Sequence, residues 1–140
     1  MARSIICERA FEFACRILPL CSRVWQRGPV GRHIASQLMK CGTSIGSNAE
    51  EAQDAQSKRD FIAKLSVSRK EARETVWWIR LALRTQVVTN DEIEWEVAEA
   101  GQLRAMIVAA IKTAQADLRR RPKLKRTNLN LNPEPLSPEP

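Results

Sequence analysis

The chain has 140 residues, a formal net charge of +7 and a hydrophobic fraction of 44%. A chain of this length suits one domain and can fold without a disulfide or a metal ion. No apolar run reaches the ~18 residues of a membrane span, and charged residues interrupt the N-terminal stretch where a signal peptide would have its apolar core. The sequence therefore indicates no membrane association and predicts a cytoplasmic protein.

Apolar residues recur at spacings of three and four, which is typical of helices, and the alternation of strands is absent. The first predicted helix covers about residues 4–26, with Pro19 inside it, where the missing backbone donor predicts a kink. Gly28-Pro29-Val30-Gly31 predicts a break. The second predicted helix follows over about residues 32–54.

Two glycines stand one turn apart within the second predicted helix, at Gly42 and Gly46. Each costs about 1 kcal/mol of helix propensity relative to alanine. The pair indicates either the close approach of another backbone or a bend, although a tolerated weakness of the helix is also compatible with it.

The third predicted helix covers about residues 57–85, with Ser57 as its N-cap, and the fourth covers about residues 89–118. Thr89 and Glu92 have the spacing of a capping box at the start of the fourth. Residues 121–140 are basic and then rich in Asn and Pro, which predicts a disordered tail after a domain of residues 1–120. Short connections favour an all-α, antiparallel up-down four-helix bundle.

Seven of the eight basic residues between positions 57 and 86 fall within ~120° of the third predicted helix, at ~100° per residue. Large apolar side chains occupy the adjacent flank. We call this set the basic arc; it consists of Lys58, Arg59, Arg69, Lys70, Arg73, Arg80 and Arg84. A stripe of fixed positive charge on a rigid element suits a polyanion or an acidic protein surface.

No constellation of catalytic or metal-binding residues is evident. His33 is the only histidine, and no phosphate-binding glycine motif occurs. The four cysteines lack zinc-ligand spacing, so we expect them to be small buried apolar residues; they are Cys7, Cys15, Cys21 and Cys41. The sequence predicts a protein that is not an enzyme and that has no metal site and no cofactor.

A polar stripe runs along the second predicted helix and includes Ser44, Asn48 and Glu51. It is either a solvated face or a seam against another helix or subunit, in which Asn48 and Glu51 would accept bonds from bases of the third helix. Trp77 lies within the basic arc, where it could stack on a base, anchor a protein partner or be buried in an interface. Interface burial is the interpretation we favour for it.

Three segments closely resemble the bacterial four helix bundle protein family: GTSIGSNAEEA at 42–52, SKRDFIAKLS at 57–66 and KEARETVWWIRL at 70–81. That family includes proteins encoded in intervening sequences of bacterial large-subunit ribosomal RNA genes. It is also similar to the accessory variability proteins of diversity-generating retroelements. The chain departs from many relatives at Pro19, where their first helix is continuous, and at Gly46, where they carry proline.

The resemblance implies an up-down bundle that associates into a ring, often of five subunits. Its retroelement relatives are basic and bind nucleic acid and a reverse transcriptase, so the resemblance implies RNA or DNA as one partner and a reverse transcriptase or another protein as a second. Two functions follow as hypotheses. The first is non-enzymatic binding of RNA or DNA through the basic arc. The second is a protein-interaction scaffold, in which the arc pairs with acids of a neighbouring subunit such as Glu92, Glu96 and Glu99.

Overall fold

A computed structural model describes residues 4–120, which form four α-helices. Their bounds are α1 Ile5–Trp25, α2 Gly28–Gln53, α3 Lys58–Arg84 and α4 Asn90–Arg120. Within this described part no strand occurs, so the all-α prediction is confirmed. The predicted tail at residues 121–140 lies outside the described residues.

The starts of α3 and α4 follow the predicted caps. Ser57 Oγ accepts the backbone N–H of Asp60 at 3.0 Å. At α4, Thr89 Oγ1 accepts the N–H of Glu92 at 3.3 Å, and the Glu92 carboxylate accepts the N–H of Thr89 at 3.4 Å. These bonds satisfy donors that the first turn of a helix leaves without partners, so both caps are confirmed.

The start of α2 differs from the prediction by four residues. The connection is a turn at Gln26 and Arg27, and α2 already begins at Gly28, whose φ is +83°. Pro29 falls in the first turn, where its fixed φ suits a helix and its missing donor costs nothing. The glycine and proline that indicated a break therefore start a helix. Pro19 also lies within a helix, since α1 continues beyond it to Trp25.

Each helix packs against its two neighbours in a closed square, α1 with α2 and α4, and α3 with α2 and α4. Bonds between helices establish the antiparallel order: Lys64 pairs with Glu51 near one end of the bundle, and Arg27 pairs with Glu92 near the other. The helices α1 and α3 are therefore diagonal to each other. The centre is filled by apolar side chains, the largest being Phe13, Ile17, Leu20, Leu38, Ile45, Leu65, Ile79, Ile93, Leu103 and Ile107.

The paired glycines of α2 lie where α1 approaches. A Cβ at Gly46 would be 3.4 Å from the backbone carbonyl carbon of Ala10, and one at Gly42 would be 3.3 Å from the Ile17 side chain. The backbone of α1 therefore approaches α2 at Gly46, at an ordinary contact distance that leaves room for a methyl group.

Candidate functional site

The basic arc lies on the outer side of α3. Six of its seven residues are exposed, and none of these six forms an ion pair with another residue of the described part of the chain. The exception is Lys58, whose side chain is 29% exposed and whose Nζ lies 3.4 Å from a carboxylate oxygen of Asp117. The arc therefore presents six exposed cations without an ion pair to solvent, from Arg59 to Arg84.

The apolar flank of α3 beside the arc fixes this orientation. Ser68 is fully buried and its hydroxyl donates to the carbonyl oxygen of Ile45 in α2, at 2.7 Å. Leu65, Ala72 and Ile79 share that flank and are buried in the core. Because these contacts hold one side of the helix inward, the charged side chains on the other side remain in water.

The acids of α3 lie to one side of the basic arc, next to Lys70. Asp60, Glu71 and Glu74 fall at ~160–220° on the wheel that places the basic arc at ~0–120°. Burial, together with the nearby Glu74 carboxylate, raises the pKa of Glu71. Lys70, at the edge of the arc, interacts electrostatically with Glu71, so the acids of α3 offset part of the positive potential at this edge of the arc.

Trp77 lies within the arc and is 52% exposed. With Arg80 and Arg84 it lines an open depression of about 500 Å³ at the C-terminal end of α3. The ring of Trp78 meets that of Trp77 at right angles, with centroids 4.8 Å apart. A large aromatic surface therefore stands in water among guanidinium groups of a single chain.

The predicted polar stripe of α2 is only partly a seam. Ser44 Oγ donates to the carbonyl of Lys40 at 2.7 Å, and Asn48 Nδ2 donates to that of Ser44 at 2.8 Å, so both bond within their own helix. Glu51 alone reaches α3, where it accepts from Lys64 at 3.5 Å. Lys64 is the one base of α3 outside the basic arc. Their predicted roles at a subunit interface remain predictions.

The three acids of α4 that could pair with a neighbouring subunit's arginines are already occupied or enclosed. Glu92 is held by two bonds from the Arg27 guanidinium, one of them 2.8 Å long, and Glu99 by two bonds from Arg9, at 2.8 and 2.9 Å. The bond from Arg27 lowers the pKa of Glu92. Glu96 is only 5% exposed.

Two of the four cysteines are buried thiols that stay protonated. Burial raises the pKa of Cys21 to about 12 and that of Cys41 to about 11, so both thiols stay protonated at neutral pH. Cys15 is exposed, which makes the prediction of a buried residue wrong there, because it lies on the outer face of α1. The imidazole of His33 meets the ring of Trp78 in a T-shaped arrangement, with the ring centroids 5.5 Å apart. Among residues 4–120 no cluster of ligands could hold a metal ion.

The helix α1 carries an exposed apolar stripe that the sequence pattern did not predict. Phe11, Leu18 and Trp25 are spaced by seven residues and are 62%, 44% and 44% exposed. This spacing puts them on one side of the helix. Phe11 borders a groove between α1 and α2 that Thr43 also lines. The signal was present in the sequence as a seven-residue spacing, but the stronger core pattern of α1 concealed it.

None of the helices within residues 4–120 combines the length and apolar character that crossing a bilayer requires.

Comparisons with known proteins identify the family. The model of the family described as 23S rRNA-intervening sequence protein matches residues 2–109. A crystal structure of a protein of unknown function from the S23 ribosomal protein family of Bacteroides thetaiotaomicron superposes with a TM-score of 0.72. The two chains are 33% identical over 77% of this chain and 99% of the other. No match is found among curated proteins, and neither family description indicates catalysis. The chain belongs to the 23S rRNA-intervening sequence protein family.

Proposed function

We propose that this protein is a non-enzymatic, oligomeric helical bundle that binds RNA or DNA in the cytoplasm through the phosphates of the nucleic acid. The observation that carries the proposal is the exposure of six unpaired cations on one side of α3. We extend the proposal to assistance of a nucleic-acid enzyme, such as a reverse transcriptase, because the sequence resembles the accessory proteins of retroelements.

The length of α3 suits an extended polyanion. Its 27 residues span about 40 Å. A strand of B-form DNA carries a phosphate every ~3.4 Å along the helix axis, so several phosphates fit along the arc. Five of the seven cations lie between Arg69 and Arg84, which concentrates the charge in the C-terminal part of α3. Contacts with phosphates carry no sequence information, so the expected binding is weakly sequence-specific.

Association of several subunits into a ring, of five in many relatives, is part of the same proposal. The apolar stripe of α1 supports it, because a row of exposed large apolar side chains marks a surface for contact with protein. The helices α1 and α3 are diagonal in the bundle, so the stripe and the basic arc lie on different faces. Subunits that join through α1 would leave the arc available.

A protein-interaction scaffold is the alternative. Trp77 favours it, since an exposed tryptophan flanked by arginines is also typical of protein interfaces. In such a scaffold the arc would contact an acidic surface of a subunit or partner. That surface would not be Glu92 and Glu99, which already pair within the chain.

Charge reversal separates the two functions. The double variant Arg73→Glu with Arg80→Glu should lose nucleic-acid binding, measured by fluorescence anisotropy with a labelled RNA, and keep its mass in light scattering. The matched control is Arg104→Glu with Lys112→Glu, which reverses two exposed bases of α4 outside the arc. The control should bind like the original chain. Equal loss in both double variants would contradict a site on α3, and collapse of the first to monomers would favour the scaffold.

A further inference from the structure

We infer that Trp77 is a stacking platform for an unpaired nucleobase, so that the preferred ligand of the basic arc is single-stranded nucleic acid. This inference rests on the proposed function and deepens it by naming the form of the ligand. Three features of the surface support it: the exposure of the indole, the arrangement of cations around it and the rings behind it.

The indole is available for contact with a ligand. Trp77 is 52% exposed, and its ring makes no hydrogen bond to a residue within 4–120. It borders the depression of about 500 Å³, whose other lining residues are Arg80, Leu81, Leu83 and Arg84. This space is open to solvent and large enough for a planar base to approach the ring.

The cations around Trp77 are placed at helical neighbour positions. Arg73 is four residues before it, Arg80 three after it and Arg84 seven after it, so all three lie on the same side of α3. Proteins that bind single strands without sequence preference combine a cationic track for the backbone with aromatic rings for the bases. In double-stranded nucleic acid the base faces are already stacked, so the indole could contribute little to binding a duplex.

Neighbouring rings limit the movement of the Trp77 side chain. Trp78 meets it edge to face at 4.8 Å, and Trp78 in turn contacts His33 at 5.5 Å. The Nε1 of Trp78 donates to the Glu74 carboxylate at 3.3 Å. A side chain held in this way loses less conformational entropy when a base binds to it than a freely rotating one would.

The test compares one oligonucleotide as a single strand and as a duplex, at the same salt concentration, with the full chain and its variants. Trp77→Ala should weaken binding of the single strand by about 5- to 150-fold, the range that alanine substitution gives for one stacked base. Duplex binding should change less than twofold. Trp77→Phe, which keeps a ring, should lose less. Met39→Ala is the control, an exposed apolar side chain of α2 outside both the basic arc and the apolar stripe of α1, and should leave both affinities unchanged.

The other outcomes are distinguishable. Unchanged single-strand affinity in Trp77→Ala would overturn the stacking role, and loss of binding in the Arg73 and Arg80 reversal would then leave the proposed function standing. Equal weakening of single strand and duplex would also overturn stacking. A fall in the mass of Trp77→Ala would assign the residue to a subunit interface instead. An original chain that binds neither form would refute the proposed function and the inference together. Circular dichroism checks that each variant is helical.

Discussion

Single residues set how closely α1 and α2 approach each other. Gly31 is buried, and a Cβ at this position would lie 2.4 Å from the backbone carbonyl oxygen of Val24. A backbone oxygen cannot move aside as a flexible side chain can, so only glycine fits there. Gly101 in α4 is different, because it is exposed and nothing lies within 4 Å of a Cβ built there.

These two glycines predict opposite responses to the same substitution. Gly101→Ala should stabilise the protein by roughly 0.5–1 kcal/mol, because alanine favours the helix. Gly31→Ala should destabilise it by about 1–3 kcal/mol, because the overlap with Val24 outweighs the gain in propensity. Urea unfolding at equal protein concentration measures both. Stabilisation by Gly31→Ala would show that the turn between α1 and α2 has room for a methyl group at this position.

The sequence could not reveal the role of Gly31. Helix propensity alone would interpret Gly31 as a helix breaker. Only the position of Val24 across the turn shows that a glycine is needed here for the two helices to come close. Ser57 and Thr89 could be predicted as caps, since their partners lie three residues away along the chain. Helix caps can therefore be predicted from the sequence, because both partners are close along the chain. A close approach between two helices depends on residues that are distant along the chain.

Between helices, an arginine in the turn after α1 holds the start of α4 in place. The Arg27 guanidinium donates to both carboxylate oxygens of Glu92 and to the carbonyl oxygen of Val87, the latter at 2.8 Å. This joins the turn after α1, the loop before α4 and the first turn of α4. The bond from Arg27 is the main reason that the pKa of Glu92 is lowered.

The lowered pKa predicts a pH-dependent contribution to stability. A carboxyl group whose pKa is lower in the folded state stabilises the fold above its unfolded pKa of ~4.3, and this is lost as pH falls through the folded pKa. Arg27→Gln should therefore cost about 1 kcal/mol at pH 7. The difference in unfolding free energy between Arg27→Gln and the original chain should shrink below about pH 4. What remains is the contribution of the bond from Arg27 to the carbonyl oxygen of Val87.

Arg23→Gln is the control for this pair, because its Nε lies 3.9 Å from the same carboxylate and its side chain is more exposed. It should cost less than ~0.5 kcal/mol at any pH. A stability difference for Arg27→Gln that stays constant from pH 7 to pH 3 would contradict the account of Glu92. Urea titrations at each pH provide the measurement.

Among the features of the helices, the basic arc of α3 is the one that the sequence predicted best. Its angles follow from the helical period alone, and the fold leaves six of the seven side chains exposed. Lys58 is the exception because Asp117 of α4 reaches it, which no local rule could show. The pairing of Arg9 with Glu99 is another long-range choice, since 90 residues separate the two along the chain.

For the whole molecule, the diagonal placement of α1 and α3 separates two surfaces. The apolar stripe of Phe11, Leu18 and Trp25 belongs to α1, and the basic arc belongs to α3. One face can thus contact other subunits while another binds a polyanion. The sequence showed the charged face clearly but not the apolar one, because the buried pattern of α1 is stronger than the stripe beside it.

The apolar stripe predicts the outcome of a mass measurement. Light scattering should give a multiple of the 15.9 kDa chain mass. Phe11→Glu with Leu18→Glu should lower that mass, since two charges on the stripe would have to be buried in the contact. Ile5→Glu with Val30→Glu, also at exposed apolar positions, is the comparison that tests whether the effect belongs to the stripe. An unchanged mass in the first variant would place the subunit contact elsewhere.

Binding of nucleic acid through its phosphates is tested most directly by the dependence of the affinity on salt. Cations that neutralise phosphates release counterions, with a slope of about −0.7 per phosphate for single strands in a plot of log K against log salt. Six engaged cations would give a slope of about −4, or roughly a 250-fold loss of affinity between about 50 and 200 mM salt. An affinity that changes by less than about threefold over this range would contradict binding through phosphates.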